Sequence, residues 1–211
     1  SKIVDGVINQ LTEEKLVQAA PQERAEDDLA VIEAILQGSV ERFAELVSRH
    51  QARALRIAFS IMGNSEDAKD AIQEAFVSVY QALGRFQGKS KFSSWLHRIV
   101  VNKCHDLFRR RSSRVTEMPV EDANIFEKSE AHNDPSLLLE GKEMGVHVTS
   151  ALKLLSIKQR TAFSLHHMHD YTVPEVAEMM ECSPGTVKSH LFRATEKIRA
   201  HLEPLLKLRE I

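Results

Sequence analysis

Lys188, Ser189, Phe192 and Arg193 are the side-chain types that read a duplex: two cations, a hydroxyl and a large apolar ring. They lie in SPGTVKSHLFRA, residues 183–194, where Ser183 can cap a helix and Pro184 suits the first turn, in which a missing N–H costs nothing. Val187, Leu191, Ala194 and Ile198 recur at i, i+4, i+7 and i+11, forming one apolar stripe from which the four named residues fall away. Upstream, Thr172 and Glu175 make a capping box for a short helix whose inner-face candidates are Val176, Ala177 and Met180, and ECS is a turn. Residues 171–194 therefore have the form of a helix-turn-helix, a geometry that purely structural helical domains also use; in the DNA-reading motif the second helix enters the major groove. Exposed N–H groups near Gly185 and Thr186 can hold a phosphate. The turn lacks the glycine that many repressors carry there.

A second candidate surface lies mid-chain. Residues 85–114 carry nine Lys/Arg against Asp106, a balance of +8, and residues 117–143 carry eight acids against Lys128 and Lys142, a balance of −6. Blocks of opposite sign suggest separate surfaces with separate partners, although a solvated helix end and linker would have the same composition. Trp95, Arg98, Asn102, His105 and Arg109 share one strip of a helix in the basic block. His166, His167 and His169, and His97 with Cys104 and His105, invite a metal reading. Zinc needs three or four convergent ligands with supporting partners, and no matched second pair is evident, so no metal is assigned. GxSxG, P-loop, HExxH and paired catalytic carboxylates are all missing from the sequence, so neither a catalytic residue nor a cofactor is assigned.

Helices must position these groups. Helical periodicity dominates the 211 residues and no sustained period of two occurs, which predicts an all-α protein. The expected helices run from about Leu29 to Leu36, Val40 to Ile61, Asn64 to Leu83 and Ser94 to Arg110, and resume near Val148. Pro119, Pro135 and Gly141 interrupt an acidic stretch without apolar period, which reads as a linker. The expected division is an N-terminal extension (1–27), a first helical unit (28–111), a linker (112–147) and a second unit (148–211). No run approaches a membrane span, no basic leader precedes an apolar core, and two cysteines without a CxxC suit a reducing compartment, so a cytoplasmic protein is expected.

With both units in view, the chain resembles the extracytoplasmic-function (ECF) sigma factors of bacteria, which bind core RNA polymerase and direct it to promoters. The resemblance covers about Leu29 to Leu208 and is carried by FAELVSRHQARALRIAF, DAKDAIQEAFVSVYQALGRF, KFSSWLHRIVVNKCHDLFRRR, LSIKQRTAF and YTVPEVAEMMECSPGTVKSHLFRA. It implies two small helical domains, a sigma-2-like bundle and a sigma-4-like helix-turn-helix domain, joined by a flexible acidic linker. It implies that Asp67, Asp70, Gln73 and Glu74 dock on the β′ clamp helices of the polymerase. It implies that the segment from Phe86 to Asn102 captures the −10 promoter element, where aromatic faces stack on an extruded base and a loop hydrogen-bonds its edge. Phe86, Gln87, Lys89, Ser90, Lys91, Phe92, Trp95, Arg98 and Asn102 are the candidates, with Arg109 and Arg110 neutralising phosphates. Phe92 and Trp95 are also of the type that fills a core. The second unit would read the −35 element: Lys188, Ser189, Phe192 and Arg193 in the groove, and Arg160, Pro184 and Thr186 against phosphates. The implied partners are core polymerase (β′ clamp helices and β subunit), promoter DNA and an anti-sigma factor, without membrane insertion.

A flexible 112–146 linker would span roughly 30–35 Å, whereas the two promoter elements lie ~70 Å or more apart. Polymerase is therefore expected to stretch the linker, and the free chain to bind promoter duplex weakly. A stand-alone helix-turn-helix regulator is the alternative reading; a metal-dependent nucleic-acid enzyme built on the histidines is a third.

Overall fold

The computed structural model describes the backbone of residues 25–116 and 150–207 and the side chains of residues 28–113 and 150–203. All regular structure among them is helical. The first unit contains α1 (Ala25–Leu36), α2 (Phe43–Met62), α3 (Ser65–Ala82) and α4 (Phe92–Thr116), with 3₁₀ turns at Val40–Arg42 and Leu83–Arg85. The second contains α5 (Ile157–Phe163), a π-helical turn (Ser164–Met168), α6 (Val173–Met179) and α7 (Pro184–Lys207).

The helix boundaries follow from local chemistry. Gly63 ends α2 at φ 79°, a left-handed conformation that costs a residue without Cβ nothing. Asn64 then caps α3 by accepting from the Asp67 N–H. Ser156 with Gln159 and Thr172 with Glu175 form full capping boxes on α5 and α6. Ser183 accepts from the Thr186 N–H at 3.1 Å and so starts α7. The basic helix α4 runs to Thr116, past the expected end at Arg110 and into the stretch read as linker. Beyond 116, the linker and its acids lie outside the described residues, as do residues 1–24.

The two units pack on one another instead of standing apart. One apolar core joins Leu46, Ile57, Val79, Leu96 and Val100 of the first unit to Leu165, Val176, Ala177 and Val187 of the second. A satellite core of Leu155, Phe163, Ala194, Ile198 and Leu202 holds α7 on α5. Helix α4 is consequently buried on two sides: Leu96 and Val100 belong to the expected stripe, while His97, Val101 and Cys104 are buried as well. Burial pushes the Cys104 thiol up to about 12, so it remains a neutral apolar filler.

Candidate nucleic-acid interface

Helix α7 turns Val187 and Ala194 into the core, with Leu191 half-buried, which leaves the opposite face to solvent. Lys188, Ser189 and Arg193 are exposed there, and Phe192 is 68% exposed, the most exposed large apolar side chain among the described residues. Burying that ring against sugar edges or thymine methyl groups would remove apolar area from water, which α7 itself cannot do. Pro184 and Thr186 are exposed at the helix start, and the Thr186 hydroxyl already pairs with Ser183.

Arg160 does not face solvent. It is 1% exposed, and its Nε donates to the Leu152 carbonyl at 2.9 Å, Nη2 to Leu155 at 3.4 Å and Nη1 to Ile61 of α2 at 3.3 Å. Burial draws its guanidinium down to about 10. In this arrangement it ties the segment before α5 to the end of α2, and it cannot reach a phosphate.

The loop after α3 forms an open pocket of about 220 Å³. Phe86, Gln87, Lys89, Ser90, Trp95 and Arg98 line it, as the sequence reading grouped them, together with Arg85 and, from α6, Glu178. The Phe86 and Trp95 rings lie 5.1 Å apart, both half-buried, and their remaining faces are of the kind a base can stack on. Phe92 differs: at 3% exposure, edge-on to Phe86 and to His50, it supports the pocket from beneath and does not line it. Lys91 is exposed beside the pocket. Asn102 donates to Glu181 at 3.1 Å, so it is already engaged. Arg109 and Arg110 are exposed at the far end of α4, paired to Asp106 and Glu74.

The strip Trp95–Arg98–Asn102–His105 of α4 thus borders the second unit. His105 Nε2 pairs with Thr161 Oγ1 at 2.9 Å, and buried His97 pairs with the Tyr171 hydroxyl. His169 pairs with Ser60, and Ser164 donates to the Ser60 carbonyl. Burial, reinforced by Lys158, lowers the His105 pKa; burial and then His166 lower that of His167 to about 4. Sequence reasoning did not find this seam. Its only signal is the concentration of histidines in the two stretches that meet. Among the described residues no His/Cys/Asp/Glu group is arranged to hold a metal ion.

On α3, Asp70 and Gln73 are exposed and Glu74 is half-buried against Arg110. Asp67 is 4% exposed, bonded to Asn64 at 2.7 Å and ion-paired with Arg111. It closes the start of α3 and does not share the open face of Asp70.

One chain thus carries both an exposed cationic face with a bare aromatic ring on α7 and an aromatic, basic pocket after α3. Residues 46–114 match the model of Sigma-70 region 2, and residues 146–198 that of Sigma-70, region 4. The RNA polymerase sigma-H factor of Pseudomonas aeruginosa is 34% identical over 187 residues, covering 86% of this chain and 97% of that one. The ECF RNA polymerase sigma-E factor of Escherichia coli K12 is 31% identical over 185 residues, with 85% and 96% covered. The chain belongs to the ECF sigma-70 family. The structure of CnrH in complex with the cytosolic domain of CnrY is 26% identical to this sigma factor, with a TM-score of 0.57 over 83% of this chain and 96% of that one. The sigma factor RpoE of Bartonella quintana, solved with the anti-sigma factor NepR, shares the fold at a TM-score of 0.58 and 20% identity, with 76% and 96% covered. The first unit is therefore sigma region 2, and the second sigma region 4. Among the described residues no helix of this sigma factor is long and apolar enough to cross a membrane.

Proposed function

We propose that this sigma factor binds core RNA polymerase through the open face of α3 and directs it to promoters, reading the −35 element with α7 and opening the −10 element with the pocket after α3. In this reading the chain carries no catalysis of its own and is held in check by an anti-sigma protein. The observation that carries it is the exposed Lys188–Ser189–Phe192–Arg193 face, which no packing requirement of α7 explains. Asp70 and Gln73 supply acidic and polar groups to the clamp helices, while Phe86, Trp95, Arg98 and Lys91 supply stacking and phosphate neutralisation. Units 28–111 and 148–211 are assigned the −10 and −35 tasks respectively, with α4 carrying the first unit on to Thr116.

Run-off transcription with purified core polymerase tests the reading. Initiation that depends on the added chain and is lost with Asp70→Arg or with Arg193→Ala is expected. Output no greater than that of core enzyme alone would sink it. A dimeric operator binder, the competing reading, would leave core polymerase unaffected.

A further inference from the structure

We infer that helix α1 is part of the −10 reader, through three positioning residues that never touch DNA: Asp28 sets the ring of His50, which carries Phe92, and Leu29 props the loop at Gly88. The inference rests on the assignment of the pocket after α3 to promoter DNA. Asp28 and Leu29 precede the segment that matches region 2, which begins at residue 46.

Asp28 is 3% exposed and His50 is fully buried. His50 Nε2 donates to Asp28 Oδ2 at 2.9 Å, and Arg49 Nη1 donates to Asp28 Oδ1 at 3.2 Å, so each carboxylate oxygen has its own donor. A buried imidazole bonded in this way cannot swing without breaking the bond. Its ring meets Phe92 edge-on, with centroids 5.1 Å apart. Phe92 in turn stands edge-on to Phe86 and tilted against Trp95, each at 5.8 Å. Edge-to-face pairs are directional, so the angle of one ring constrains the next. The chain of contacts runs from Asp28 to the two rings whose outer faces line the pocket.

A second contact reaches the pocket from the same helix. Helix α1 packs against α4 and against the 3₁₀ turn Leu83–Arg85 that leads into the loop. Gly88 turns that loop at φ 66°, and Leu29 Cδ2 lies 3.6 Å from the position a Cβ there would take. A tie of α1 to α2 alone would be served as well by apolar side chains, because desolvating a carboxylate offsets much of its attraction for a cation. What the polar tie adds is the orientation of one ring, and that ring touches Phe92. A stacking site needs such support, since its geometry is held by the residues behind it.

The test uses core polymerase loaded with the full chain, with the signal of core enzyme alone subtracted. Fluorescence anisotropy compares a short mixed-sequence single-stranded oligodeoxynucleotide with an abasic strand of the same length. The ratio of the two affinities separates base capture from phosphate attraction. The parent is expected to prefer the base-bearing strand by about tenfold, the order of one stacked base. Asp28→Ala and His50→Leu are expected to remove most of that preference while holding the abasic strand within about twofold, because its phosphates meet the same cations. Asp28→Asn keeps an acceptor for His50 and is expected to restore the preference to within about twofold of the parent. Leu29→Ala, at a 43% exposed position, is expected to lower the preference about threefold with an unchanged thermal midpoint, and so gives a reading even where the buried substitutions melt early. Asp28→Ala and Leu29→Ala that keep the parent's preference overturn the inference, as does a loss shared equally by both strands or left unrescued by Asp28→Asn. A parent chain that binds both strands alike would instead overturn the assignment of the pocket to DNA.

Discussion

Arg160 separates two physical accounts of the same residue type. As a phosphate contact, Arg160→Ala would behave as a surface substitution, within about 0.5 kcal/mol of the parent in stability, and would lower the salt slope of duplex binding by about 1. The structure places the guanidinium at 1% exposure, on the carbonyls of Leu152, Leu155 and Ile61. A hydrogen bond from a charged donor contributes roughly 1.5–3 kcal/mol. The contacts of 3.3–3.4 Å earn the low end, and desolvating the cation offsets several kcal/mol of the gross sum. Allowing for carbonyls left without this donor, the expected loss is about 3 kcal/mol, or a fall of roughly 6–12 °C in midpoint for a chain of this size. Arg160→Met keeps most of the volume without the donors, and should lose nearly as much. Urea and thermal denaturation followed by circular dichroism give the stability, and anisotropy with a mixed-sequence duplex across a salt series gives the slope. A variant that melts with the parent while its slope falls by one would refute the buried-tie account.

Asp67→Ala should cost about 1–2 kcal/mol in urea denaturation by removing partners of Asn64 and Arg111 at the start of α3. Asp70→Arg should leave stability unchanged and abolish co-elution with core polymerase in gel filtration. Stability should also fall as pH drops from 7.5 to 5. Burial depresses the folded pKa of His167 to about 4 and lowers that of His105, so the folded state binds fewer protons, and the contribution is complete above about 6.5 and lost below it. After discounting for the part of the His167 ring that stays in water, the loss is on the order of 1–2 kcal/mol. His167→Gln should flatten part of that slope in urea midpoints at the two pH values; an unchanged slope would count against it.

The features legible in the sequence are those set by short-range chemistry. Caps at Asn64, Thr172 and Ser183 and the left-handed stop at Gly63 follow from residue type, because their partners lie within a few residues. The exposed face of α7 is equally local, since a stripe at Val187, Ala194 and Ile198 turns Lys188, Ser189, Phe192 and Arg193 outward whatever the stripe packs against. Tertiary structure alone decided the fates of Arg160, Asp67, Phe92 and the Asn102 strip. Periodicity records which side of a helix is apolar but not which carbonyls, arginine or carboxylate will arrive from residues far along the chain. Helix α4 shows the physical reason: its polar strip has the composition of a solvent face, yet Thr161 and Glu181, dozens of residues away, supply partners to His105 and Asn102 that make it a seam.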